Sequence, residues 1–153
     1  MSISTRIKTH LEENHIPYTP LVHTPSYTAQ GAAAVMHVPG REVAKTIVVA
    51  SGDTTYIVVL PASRHLSLEK LSKEIGRPIR LATEWEFASL FPDCELGAMP
   101  PLGEIYGLPV FMDDSLMADN EIIFNAGTHK DAIRMTLSDF MRLALPTIGS
   151  FAS

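Results

Sequence analysis

With a single cysteine, Cys94, in 153 residues, the chain can form no internal disulfide, and a reducing compartment is the expectation. Long apolar runs are missing too. Nothing approaches the roughly 20 residues that a membrane span needs, and the opening MSISTRIKTHLEENH holds no signal-peptide core. A cytoplasmic protein without a membrane partner is expected. Familiar catalytic signatures are also absent: no Gly-x-Ser-x-Gly elbow, no Gly-x-x-x-x-Gly-Lys-Ser/Thr phosphate loop and no His-Glu-x-x-His zinc helix. His10, His15, His23, His37 and His65 are scattered without metal-ligand spacing, so no metal site and no cofactor are expected.

Bases are lacking over residues 91–121, where Asp93, Glu95, Glu104, Asp113, Asp114, Asp119 and Glu121 face no Lys or Arg. That stretch accounts for the formal charge of −5, since the segments on either side are each close to neutral. An acidic total without a long basic stripe argues against broad binding along a nucleic-acid backbone, DNA included. One small positive patch is available in Arg64–Arg80, where five bases stand against Glu69 and Glu74.

What the sequence does have is an ordinary globular composition, 46% hydrophobic and 19% charged, enough for one core in one domain over 1–153. Ile3, Ile7 and Leu11 recur at helical spacing, predicting a helix over 3–14. Tyr18–His23, among prolines, reads as an edge strand. Thr28 caps a helix reaching Val38, ended by Pro39-Gly40. Val43–Ala50 and Thr55–Leu60, around Ser51-Gly52-Asp53, read as a hairpin of central strands. A helix follows between Ser67 and Gly76, a short strand over Ile79–Leu81, and a Thr83/Glu86 capping box opening a helix to Leu90. Pro92–Pro109 is punctuated too heavily for regular structure. Strands over Pro109–Met112, Glu121–Asn125 and Ala132–Met135 precede a last helix, Leu137–Leu145. The elements mix without strict alternation, which predicts an α+β (mixed α/β) single domain with a mixed, largely antiparallel sheet surrounded by helices.

Three features are chemically costly where they stand. Lys45 lies inside the β run VAKTIVVA, where an ammonium must snorkel, pair or work. Gly97-Ala98-Met99-Pro100-Pro101-Leu102-Gly103 is a loop stiffened by paired prolines, with the amides of Gly97, Ala98 and Met99 expected to be free for a carbonyl or an oxyanion. Phe124-Asn125-Ala126-Gly127-Thr128-His129 ends a strand in a turn presenting Asn125, Thr128 and His129 together around Gly127. Cys94, between Asp93 and Glu95, is expected to be a weak nucleophile. Asp113, Asp114 and Asp119 leave a cation-dependent hydrolase open as a lesser alternative.

Ala44-Lys45-Thr46, the Gly97–Gly103 loop and the Asn125–His129 turn, in this order, resemble the YbaK/ProX family, the prolyl-tRNA-synthetase-associated domain. The likeness extends from the first helix through Leu137–Leu145. It implies a free-standing editing hydrolase with that family's fold, acting on the acceptor end of an aminoacyl-tRNA. Prolyl-tRNA synthetase would be its partner in trans and tRNA(Pro) carrying a small non-cognate amino acid its substrate. It further implies that Lys45, Gly97 and His129 carry the reaction. Thr46, Ala98, Met99, Pro100, Pro101, Asn125, Gly127 and Thr128 would line the substrate. Thr46 follows the lysine as in cysteinyl-specific members, where alanyl-specific members have Asn; Ala98-Met99-Pro100 matches neither, so the amino acid stays open. A catalytically silent module that binds aminoacyl-tRNA or an aminoacyl metabolite is the main alternative.

Overall fold

A computed structural model describes residues 3–153. Helix α1 (Thr5–Glu13) buries Ile7 and Leu11 completely, as their spacing predicts. Strand β1 (Thr19–Val22) is an edge strand, where Pro20 leaves no central ladder bond unmade. Thr28 caps α2 (Ala29–Met36) by accepting the Gly31 amide at 2.9 Å. The helix stops at His37, left-handed at φ 57°, before the expected Pro39-Gly40. The predicted hairpin is β2 (Ala44–Ser51) and β3 (Thr54–Pro61). Helix α3 (Leu68–Ile75) runs from the Ser67 cap to Gly76, β4 is Arg80–Leu81, and α4 (Glu84–Ala88) has the Thr83/Glu86 capping box but ends before Leu90.

The predicted irregular stretch contains one helical turn, α5 (Gly103–Tyr106). Gly103 permits it, because a Cβ there would sit 2.0 Å from the Leu108 carbonyl oxygen. Next come β5 (Val110–Asp113), β6 (Glu121–Asn125), β7 (Asp131–Thr136) and α6 (Leu137–Ala144). A last strand, β8 (Thr147–Gly149), is too short to show any periodicity in the sequence.

The fold is α+β, with strands divided between two sheets. One has the order β4-β2-β3-β5-β8, antiparallel from β4 to β3 and parallel from β3 to β8. The other is β1-β7-β6, wholly antiparallel. A bridge between Val43 and Ile123 joins them. The main core gathers α1, α6, both sheets and the Phe91–Leu102 loop; a second, on the other face of β2 and β3, gathers Val49, Val58, Leu60, Leu71 and Phe151.

Asp113, only 2% exposed, ties the segment after β8 to the larger sheet. One carboxylate oxygen accepts the amides of Phe151 and Ala152 at 2.8 and 2.9 Å, and the other accepts the Ser115 amide at 3.1 Å and the Ser115 hydroxyl. Ala152 pairs with Leu66, and Ser153 exchanges two backbone bonds with His65. Burial alone would raise the Asp113 carboxyl, but the bonds from Ser115, Phe151 and Ala152 outweigh it and hold the group below the usual Asp range. Its contribution is therefore complete above the unfolded-state value near about 4 and is lost as pH falls through the depressed folded-state value. Asp113→Ala should cost about 3 kcal/mol, because three amides lose a charged acceptor. Urea unfolding should show that cost at pH 7 and a shallower acid slope below pH 4 in the variant.

Candidate active site

The β6–β7 connection is a tight turn built by its own polar groups. The Ala126 amide donates to the Asp131 carbonyl at 3.0 Å. Buried Thr128 donates its hydroxyl to Asp131 Oδ2 at 2.5 Å and accepts the Asp131 amide at 3.1 Å. Its hydroxyl is thus a strut of the turn. Gly127, at φ 97°, supplies the left-handed step and rests against Ser4 and Ile7 at the start of α1.

Four hydrogen bonds lace this turn to the loop some thirty residues earlier. Glu95 N–H donates to the Gly127 carbonyl at 2.8 Å, and Gly127 N–H to the Ala98 carbonyl at 3.0 Å. His129 N–H donates to Glu95 Oε1 at 2.8 Å, and its ring Nε2 lies 2.7 Å from the Leu96 carbonyl. Gly97 and His129 are consequently neighbours: a Cβ on Gly97 would lie 3.3 Å from His129 Cε1, and its φ of 86° disfavours any side chain. A carbonyl can only accept, so Nε2 carries the ring proton. The opposite atom, Nδ1, is buried without a partner among the described residues.

The expectation of three free loop amides is corrected here. Gly97 N–H donates to the Met99 thioether at 3.2 Å and Ala98 N–H to the Glu95 carbonyl at 3.0 Å. Only the buried Met99 amide has no partner among the described residues. A sharp turn stiffened by Pro100 and Pro101, both buried, forces the preceding amides onto local acceptors.

Lys45 and Thr46 point to opposite faces of β2, as successive strand residues must. Thr46 stands opposite Val59, in the main core with Met99, Leu102 and Ala126; Lys45 stands opposite Leu60, in the second. The structure therefore brings Gly97, Met99, Gly127 and His129 together and sets Lys45 on the other face of β2, in a separate cleft. That cleft, about 320 Å³, is lined by Thr28, Ala29, Gln30, Lys45, Ala62 and His65. The His129 cleft, about 220 Å³, is lined by Pro25, Tyr27, Glu95, Thr128, His129 and Lys130. The segment 25–30 walls both. Partial burial lowers the Lys45 pKa, with no carboxylate beside it among the described residues to offset that. Tyr27, which the sequence reading missed, packs on His129 with ring centroids 4.7 Å apart. Its signal was an aromatic between two proline-bounded elements.

Two other groups named from the sequence are placed as follows. Burial first, then Asp93, push the Cys94 thiol up to about 11, despite its bond to Tyr106, so it holds little thiolate at neutral pH. Asp113 is committed to Ser115, Phe151 and Ala152, and no group of three or more His, Cys, Asp or Glu side chains converges among the described residues. In the basic run, Lys73 pairs with Glu69 and Arg80 with Glu86, which thins the expected patch. No helix among the described residues is long and apolar enough to cross a membrane. A further cleft of about 290 Å³ along α1 contains none of the sequence-predicted residues.

Two bridged sheets with a glycine loop bonded to a strand-end turn define an α+β domain of a recurrent kind. A solved structure provisionally described as a trans-editing enzyme for prolyl tRNA synthetase matches with a TM-score of 0.83 at 24% identity, covering 97% of this chain and 95% of its own. A protein described only as hypothetical matches at 0.87 and 19% identity, over 97% and 99%. A chain from Marinobacter aquaeolei VT8, provisionally a signal transduction protein, matches at 0.80 and 16%, over 99% of this chain but 31% of its own. These likenesses show the fold. No curated protein matches the sequence. The chain belongs to the aminoacyl-tRNA editing domain family, whose sequence model matches residues 23–143.

Gly97→Ala should destabilise the protein by about 1–2 kcal/mol through its left-handed φ and displace His129. Nitrogen NMR of neutral His129 should show the Nε2–H tautomer in the wild type and a mixture in the variant. A protonated Nδ1 in the wild type would contradict the Leu96 bond.

Proposed function

We propose that this chain is a trans-editing hydrolase that cleaves the ester between a non-cognate amino acid and the acceptor end of a tRNA. The resemblance favours tRNA(Pro) bearing a small amino acid, prolyl-tRNA synthetase as partner in trans, and the cytoplasm as its place. The observation that carries this reading is the lacing of residues 95–98 to 127–129, which sets a glycine loop against an imidazole.

An aminoacyl ester is already activated, so its hydrolysis needs a placed water and a held oxyanion more than a protein nucleophile. Cys94, as a neutral thiol, is not required as one. The ester carbonyl meets the Met99 amide. The Gly97 amide joins it, because a thioether is a weak acceptor that a developing oxyanion displaces. His129 acts by position: its ring N–H on the Leu96 carbonyl and its amide on Glu95 hold the Gly97 loop where the ester lies. Water oxygen adds to the carbonyl carbon, the ester C–O bond breaks, and a water proton passes to the departing ribose oxygen. Thr46 faces the aminoacyl side and Lys45 the nucleotide side, where its ammonium, already partly desolvated, forms charge-assisted bonds to a phosphate.

A panel of tRNA(Pro) charged with Ala, Cys, Ser and Thr, beside the cognate aminoacyl-tRNAs, tests this directly. At least one small non-cognate ester should be hydrolysed, with the rate unchanged by EDTA. Lys45→Ala should lower kcat/KM by about 10- to 100-fold, the worth of one charged hydrogen bond, and His129→Ala by about 2- to 10-fold, the worth of a neutral one. No turnover of any member would leave a silent binding module. Wild-type rates in Lys45→Ala would remove the lysine from the mechanism.

A further inference from the structure

Tyr27 is 77% exposed, so it contributes little to the core, yet its place is rigidly built. On one side, the Ser26 amide donates to the His129 carbonyl at 2.9 Å and the His23 amide to the Lys130 carbonyl at 2.8 Å. On the other, Thr28 caps α2, and the Ser26 hydroxyl donates to the Thr28 carbonyl at 3.2 Å. Gly31 packs so closely below that a Cβ would lie 2.4 Å from Ser26 Oγ. The ring leans on His129 at a 47° tilt and leaves most of its surface to solvent. An aromatic held this firmly and buried this little is preorganised for a planar ligand.

Its position indicates which one. Tyr27 lines the His129 cleft, and Thr28, the next residue, lines the Lys45 cleft. A nucleotide with its ester at His129 and its phosphate at Lys45 would run along the segment that walls both clefts, where Tyr27 is the exposed aromatic. We propose that Tyr27 is the stacking platform for the terminal adenine of the acceptor end, so that the protein binds the base as well as the aminoacyl group. This rests on the deacylase reading above. Neither the glycine loop nor His129 offers the base a flat surface in solvent; Tyr27 does, and every base has a π-face that it can take.

The test compares one amino acid esterified to adenosine and to an abasic ribose. Wild type should favour the adenosyl ester by about tenfold or more in kcat/KM, the range of one base–aromatic stack, chiefly through KM. Tyr27→Ala should bring that ratio close to one, while Tyr27→Phe and Tyr27→Trp keep it. A merely structural role would slow both esters equally and leave the ratio intact, which would overturn the proposal; so would a wild-type ratio of one. If wild type cleaves neither ester, the charged-tRNA panel decides the deacylase reading and equilibrium binding of adenosine monophosphate decides this one. Weakening of about tenfold in Tyr27→Ala, with Tyr27→Phe unaffected, supports the platform. No binding to wild type, or equal binding to wild type and Tyr27→Ala, overturns it.

Discussion

Glu95 donates its amide to the Gly127 carbonyl and accepts the His129 amide on its carboxylate, while Gly127 and His129 return bonds to Ala98 and Leu96. Two segments with no regular structure thereby share one rigid arrangement. Everything chemical at the site depends on it: the tautomer of His129 and the approach of Gly97 to the ring. The frame behind it is supplied by α1 against Gly127 and by the main core under Met99. Were the loop to slip by one residue, a side chain would replace the hydrogen at Gly97 and push into the imidazole.

Under the proposed reading, the same lacing would let an acidic stretch serve an RNA end. Three of the seven acids of residues 91–121 are spent on structure: Glu95 on the His129 amide, Asp113 on the amides of residues 151 and 152, Asp93 on Ser4, Tyr106 and Arg6. Lys45 stands apart in its own cleft, with Gln30 and His65 beside it. Attraction is thus concentrated at one small point. A surface of this kind suits one nucleotide and its ester better than the length of a helix.

Much of this was legible in the sequence, and the misses have physical causes. Helices came through where caps and periodicity agreed, as at Ser67–Gly76 and Thr83–Glu86. The hairpin of β2 and β3 came through because both faces are buried and the runs are densely apolar. What stayed hidden were contacts between distant segments: the parallel pairing of β3 with β5, the three-residue β8, and the helical turn that Gly103 allows. At the site, Lys45, Gly97 and His129 were legible as residues out of place. Their partition into two clefts was not, because it follows from strand parity in a three-dimensional sheet. Two of the three loop amides expected to be free are occupied, since a proline-stiffened turn satisfies its own donors. Tyr27 carried no motif, and its meaning comes only from what it leans on.

The central claim is that one acceptor-end nucleotide lies across both clefts, with its aminoacyl group at the glycine loop. Amide and side-chain NMR with adenosine 5′-monophosphate carrying a hydrolysis-resistant 3′-aminoacyl amide tests this most directly. The account predicts the largest shifts at the amides of Gly97, Met99 and His129 and at the Lys45 ammonium, within a single binding isotherm. Shifts confined to the cleft along Thr5–Glu13, with Gly97, His129 and Lys45 silent, would contradict it.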